Sequence, residues 1–108
     1  MESQKFDGPD QRRYFRVKYP PNERPILEIG THRFEVLDIS ERGLRFASDQ
    51  EVKFAEWIRG TLIFSDRGSL VIEGRIIWKK EAKIGLKLVT PISYMRILKE
   101  QRTLVETG

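Results

Sequence analysis

The chain has 108 residues and no cysteine. Disulfide frameworks, thiolate metal sites and cysteine nucleophiles are therefore excluded. Histidine is nearly absent too. The one example, His32, sits in Gly30-Thr31-His32-Arg33, a stretch that reads as an exposed turn. No His/Glu cluster has metal-ligand spacing. No glycine-rich phosphate loop precedes a helix, and there is no G-x-S-x-G elbow. Asp38 and Ser40 have no histidine or lysine nearby in sequence to complete a triad. The expectation is a protein that is not an enzyme and carries no cofactor or metal. No apolar run reaches 18 residues, so no membrane span is expected. Met1 to Asp10 is polar and lacks the apolar core of a secretory signal. A cytoplasmic location is the expectation that follows.

The chain does carry a local excess of positive charge. Lys plus Arg exceed Asp plus Glu by 20 − 16 = +4. The octet Gln11 to Lys18 contains Arg12, Arg13, Arg16 and Lys18 with no acid, so it alone accounts for that excess. A compact basic segment fits an anionic partner: phosphate, nucleic acid or a membrane surface. A solvated charge cluster is the plainer reading of any such run.

Length allows one domain with one modest core. Residues 1–11 are polar and broken by Gly8-Pro9-Asp10, which predicts a flexible N-terminal arm. Residues 12–108 form the single domain. Pro20, Pro21, Asn22 and Pro25 keep the next segment extended or turned. Beyond it lie short alternating stretches: 26–29, 34–39, 44–46, 62–64, 70–78 and 84–89. Gly30-Thr31 and Asp66-Arg67-Gly68 supply turns between them. Short strands with regular turns predict an antiparallel barrel or sandwich. Gln50 to Ile58 fits neither period and predicts a loop or a short helical turn. At the C-terminus Ile92, Met95, Leu98 and Arg102 fall three or four apart after Thr90-Pro91, which predicts an amphipathic helix over about 91–104.

Two motifs stand out. Arg12-Arg13-Tyr14-Phe15-Arg16 has R-x-x-x-R spacing. Guanidinium forks match phosphate oxygens and the O6/N7 edge of guanine, and they also stack on bases. Asp38-Ile39-Ser40-Glu41-Arg42-Gly43 has D-x-S-x-x-G spacing at a strand end. There the strand period puts Asp38 and Ser40 on one face, and Gly43 supplies a positive φ for a sharp turn. A carboxylate accepts from the N1–H and N2–H₂ edge of guanine. Taken alone, this second element is an ordinary side-chain-to-backbone turn. Together, the two motifs supply donors and acceptors for a guanine nucleotide.

In this order the motifs resemble the PilZ domain family. Gly74-Arg75-Ile76-Ile77-Trp78 and Ile84-Gly85-Leu86-Lys87-Leu88 are similar to that family's closing strands. The resemblance spans residues 11–100. It implies a mainly β, six-stranded antiparallel Greek-key barrel with a C-terminal α-helix. It also implies binding of bis-(3′,5′)-cyclic di-GMP, a bacterial second messenger. Arg12 and Arg16 would clasp guanine and phosphate, Asp38 and Ser40 would line the pocket, and Gly43 would shape the turn. Arg13 is a candidate phosphate contact. Trp78 is a candidate for stacking on guanine or for a core or rim position, and Trp57 for a structural or partner-facing one. The implied partners are cyclic di-GMP and a downstream protein that senses an arm ordered by the ligand. The alternative reading is a small basic barrel for RNA or single-stranded DNA.

Overall fold

The computed structural model describes residues 15–48 and 52–107. Alternating apolar residues build seven antiparallel strands: β1 (Val17–Lys18), β2 (Ile26–Ile29), β3 (His32–Ile39), β4 (Gly43–Ala47), β5 (Trp57–Ile63), β6 (Ser69–Lys80) and β7 (Lys83–Leu88). A helix, α1 (Tyr94–Thr107), follows. The pairings β2–β3, β3–β4, β4–β7, β7–β6, β6–β5 and β5–β2 close a six-stranded barrel. The short β1 adds to the far end of β3. β2, β3 and β4 follow each other, and β5 returns by a long connection to lie beside β2. The spatial order β5-β2-β3-β4 is a Greek key.

The period-2 pattern explains the core. In β4, Leu44 and Phe46 face inward between half-buried neighbours. Leu27, Phe34, Val36, Ile39, Leu62, Ile84 and Leu86 complete the barrel interior. Phe34, Phe46 and Phe54 form an aromatic cluster with centroids 5.3 to 5.8 Å apart. Phe54 belongs to the 52–58 stretch. Its described residues contain no helical turn, and Trp57 and Ile58 already belong to β5. The expected loop is found over residues 52–56, and only Trp57 and Ile58 depart from it, because Trp57 is an exposed strand residue that masks the alternation.

α1 starts three residues later than Pro91. Ser93 caps it, its Oγ accepting the Arg96 N–H at 3.1 Å. Thr90 and Pro91 instead belong to the approach, where the Ile92 N–H binds the Glu41 carbonyl at 2.8 Å. Ile92 and Ile97 plug the barrel end. Polar groups set the helix orientation. The Tyr19 hydroxyl donates to Glu100 Oε1 at 2.7 Å, and both residues are buried. Arg96 donates two hydrogen bonds to Asp66, at 2.8 and 3.0 Å, and its guanidinium lies over the Phe64 ring. Hydrogen bonds from Arg96 and then Lys99 hold the Asp66 carboxyl well below its usual range.

Burial, and then the hydrogen bond to Glu100, raise the Tyr19 hydroxyl above its ordinary 10.0. Above pH 10 the unfolded tyrosine loses its proton while the folded one keeps it. Folding stability therefore falls as pH rises, with a limiting slope of about 1.4 kcal/mol per pH unit for one proton. Tyr19→Phe removes this slope. At neutral pH it costs about 1–3 kcal/mol, because a buried carboxylate oxygen loses its donor. Urea unfolding of both chains from about pH 8 to 11 checks this, and parallel stability profiles would refute it.

Candidate functional site

Arg16, which directly precedes β1, meets the D-x-S-x-x-G segment that joins β3 to β4. A pocket of about 170 Å³ lies beside them, lined by Arg16, Ser40, Arg42, Gly43, Leu44, Arg45, Ile77, Trp78, Gly85, Leu86 and Lys87. Two β-bulges shape it. On β3 the register runs Val36↔Phe46 and then Asp38↔Arg45, so Leu37 is the extra residue. The bulge inverts the in/out parity of the strand. Phe34 and Val36 point inward before it; Ile39 points inward after it, and Asp38 lies opposite the outward-facing Arg45. On β6 the register runs Ile76↔Leu86 and then Trp78↔Gly85, so Ile77 is extra and Trp78 is re-aimed in the same way. Arg45 and Trp78 thus flank the same residue, Gly85, on opposite sides.

Gly85 is where the indole lies. A Cβ there would meet Trp78 Cζ2 at 2.8 Å and press still harder on Cε2 and Nε1. The ring therefore covers the β7 backbone with one face, while the residue as a whole remains 37% exposed. A planar group can stack on the free side.

Asp38 is placed differently from the expectation of a pocket-lining carboxylate. Its side chain is fully buried. Oδ1 accepts from Arg16 Nη1 at 2.6 Å, and Oδ2 accepts from Arg45 Nε at 2.5 Å and also pairs with Arg45 Nη2. Ser40 is buried beside it. Its N–H binds the Gly43 carbonyl at 2.8 Å, and its Oγ lies 3.4 Å from the same oxygen. The D-x-S-x-x-G segment is a tight hairpin with Glu41 and Arg42 at its tip, pinned by bonds from Leu88 N–H to the Arg42 carbonyl and from Ile92 N–H to the Glu41 carbonyl. Gly43 has no positive φ. It is needed for close approach instead: a Cβ would lie 3.0 Å from the Leu86 carbonyl oxygen.

The structure therefore brings together Arg16, Asp38, Ser40, Gly43 and Trp78. Arg12 and Arg13, and the arm over residues 1–11, lie outside the described residues. Trp57 is 55% exposed and pairs across from Arg75, outside the pocket. His32 opens β3 exposed, its ring 6.1 Å from that of Phe34.

Three cations were missed by the sequence reading: Arg42, Arg45 and Lys87. Arg42 and Lys87 form no ion pair among the described residues. The sequence held a weak signal for the two bulges, though none for these cations. Val36-Leu37 and Ile76-Ile77 are doubled apolar residues just before Asp38 and Trp78, and such doublets break a period of two where a bulge occurs. With Arg16, four cations ring the pocket against the single buried Asp38 carboxylate. The arrangement suits an anion carrying a planar base.

Among the described residues there is no cluster of three or more His, Asp or Glu able to hold a metal ion, and no helix is long and apolar enough to cross a membrane. The profile of the family described as PilZ domain matches residues 10–101. Solved structures also match, among them a crystal structure of an uncharacterized Legionella protein. It is 16% identical with a TM-score of 0.60, covering 87% of this chain and 94% of that one. At that identity the likeness is one of fold. No curated protein matches the chain.

Proposed function

The chain belongs to the PilZ domain family, and from that premise we propose that it is a receptor for bis-(3′,5′)-cyclic di-GMP. The observation that carries the proposal is the single pocket in which Arg16 meets the D-x-S-x-x-G hairpin beside the Trp78 ring. The ligand has two phosphates and two guanines. One guanine stacks on Trp78; arginine forks take its O6/N7 edge and the nearer phosphate. Arg42 and Lys87, without an ion pair among the described residues, offer their charge to the second phosphate. The cavity is smaller than the roughly 300–1,000 Å³ of fully enclosing ligand sites. The ligand therefore sits partly over the rim, and the resemblance gives Arg12 a share in clasping its guanine and phosphate.

Ligand capture orders the segment before Arg16 onto the barrel, and a partner protein reads the new face. Neither catalysis nor a cofactor enters this reading, and a cytoplasmic location suits a diffusible second messenger.

Titration calorimetry of the full chain with cyclic di-GMP is the test. The expected result is heat of binding with micromolar or tighter affinity. The affinity has a shallow salt dependence, since only two phosphates are neutralised. No heat at tens of micromolar ligand would overturn the proposal. A steep salt slope with single-stranded oligonucleotides would favour the nucleic-acid reading instead.

A further inference from the structure

Beyond the pocket, the β6–β7 hairpin continues as an exposed finger. Every residue from Ile77 to Lys83 is exposed, and Ile77 and Trp78 at its base line the pocket. The tip, Lys79-Lys80-Glu81-Ala82-Lys83, carries three cations against one acid. The Ala82 carbonyl accepts the Ser48 N–H at 2.8 Å, which ties the tip to the chain leaving β4.

The charges of the finger are arranged unlike those elsewhere on the surface. Lys80 lies directly across from Lys83. Like charges in directly opposed positions destabilise a strand pair. Neither of these lysines, nor Lys79, forms an ion pair among the described residues. The adjoining strands give no relief, because β4 and β7 contain no acidic residue. Ile84, Leu86 and Leu88 point inward, so Lys83 and Lys87 point outward with Gly85 between them. On the β5–β6 wall, by contrast, cations sit beside acids. Arg59 lies across from Glu73, and Arg75 pairs with Glu56 at 2.8 Å. On α1, Arg96 and Lys99 share Asp66. An anion from outside the chain would relieve the repulsion that the finger retains.

The chemistry of the finger selects that anion. It holds lysines and no arginine. A guanidinium fork matches the fixed geometry of a protein carboxylate or a nucleic-acid phosphate, whereas an ammonium on a flexible stem is a point charge suited to a diffuse layer of headgroups. Each lysine close to an anionic bilayer adds to the attraction, which fades within a Debye length.

We propose that the β6–β7 finger docks the chain on an anionic lipid bilayer through Lys79, Lys80 and Lys83. None of the three lines the pocket, so the docking stands apart from the cyclic di-GMP reading.

The test is sedimentation of the full chain with vesicles of phosphatidylcholine alone, and of phosphatidylcholine with an equal share of phosphatidylglycerol. The chain is expected to sediment with the mixed vesicles and not with the neutral ones, and to be released as added salt shortens the Debye length. Lys79→Glu plus Lys80→Glu is expected to weaken the partition at least about tenfold. Arg67→Glu plus Arg102→Glu makes the same change of net charge at exposed positions on the β5–β6 turn and on α1. It is expected to weaken the partition less than about threefold, because the attraction is short-ranged. Lys80→Glu alone sets opposite charges across the two strands. Its urea midpoint is expected to be no lower than that of the unaltered chain, while its partition falls about threefold or more.

Equal losses in the two double variants overturn the proposal, because net charge alone would then account for the attraction. A chain that sediments with neither vesicle overturns it too. So does a partition unchanged by Lys79→Glu plus Lys80→Glu; if that variant instead loses retention by a single-stranded oligonucleotide, the anion is a nucleic acid. Should the double variant fail to fold, Lys80→Glu alone decides. Calorimetry with cyclic di-GMP reports on the receptor reading separately, and either result stands without the other.

Discussion

Arg16→Ala lowers the affinity for cyclic di-GMP by one to two orders of magnitude. The guanidinium performs two jobs. It lines the pocket, and it neutralises half of the buried Asp38 carboxylate through the 2.6 Å bond to Oδ1. A hydrogen bond involving a charged group contributes about 1.5–3 kcal/mol, and each 1.4 kcal/mol is a factor of ten. Losing the bond to Asp38 also costs folding stability. That cost is tempered because Arg45 still covers Oδ2 and because Arg16 is partly exposed. Arg33→Ala is the control. Arg33 is well exposed at the start of β3, with only an exposed partner at Glu28, and its loss changes neither affinity nor stability by more than a few tenths of a kcal/mol. Calorimetry and urea unfolding of the two variants check both statements. Equal affinities would remove Arg16 from the site.

Gly85→Ala carries the second large effect, and it acts through the Trp78 ring. The added methyl would occupy space already filled by the Trp78 indole. Either the ring swings off β7 or the β6–β7 pairing shifts. Overpacking of this kind costs about 1–3 kcal/mol of stability. Losing a stacked base costs about 1–3 kcal/mol of binding, roughly five- to 150-fold. The chain has two tryptophans, so Trp57→Phe leaves Trp78 as the sole indole reporter. In that background cyclic di-GMP quenches the fluorescence of the glycine form strongly and that of Gly85→Ala weakly. Identical quenching at matched saturation would show that the ring is not a platform. The same comparison separates Trp78 from Trp57, which lies outside the pocket.

Both predictions depend on features that differ in how visible they are in the sequence. Arg16, Asp38, Ser40, Gly43 and Trp78 were singled out from spacing and from side-chain chemistry, and the fold gathers all five. Arg45 was not. It sits between Leu44 and Phe46 as an ordinary outward strand residue, and nothing local distinguishes it from Arg33 or Arg59. Lys87 is equally ordinary in β7. Each lines the pocket because a neighbouring strand brought a motif residue beside it: Asp38 across from Arg45, and Gly43 across from Lys87. Cross-strand pairing joins residues far apart in the chain, so local pattern cannot supply it. Asp38 shows the reverse case. Its spacing singles it out, but its burial between two guanidinium groups follows from a bulge whose only trace is one extra apolar residue.

By itself the sequence determined the class of structure. Alternating apolar residues and turn signals require antiparallel strands, a 3.6-residue stripe requires a closing helix, and the absence of cysteine and of paired histidines excludes thiol chemistry and histidine-based metal sites. Arg16 and the D-x-S-x-x-G spacing marked residues that the fold gathers beside one pocket. The tertiary structure alone decided where each described motif residue lies. Barrel closure sets which outward side chains share a pocket. Two bulges reverse strand parity beside it, turning a carboxylate away from solvent towards two arginines and laying an indole over a glycine. These outcomes follow from register between distant strands, and register is a property of the closed sheet and not of any segment within it.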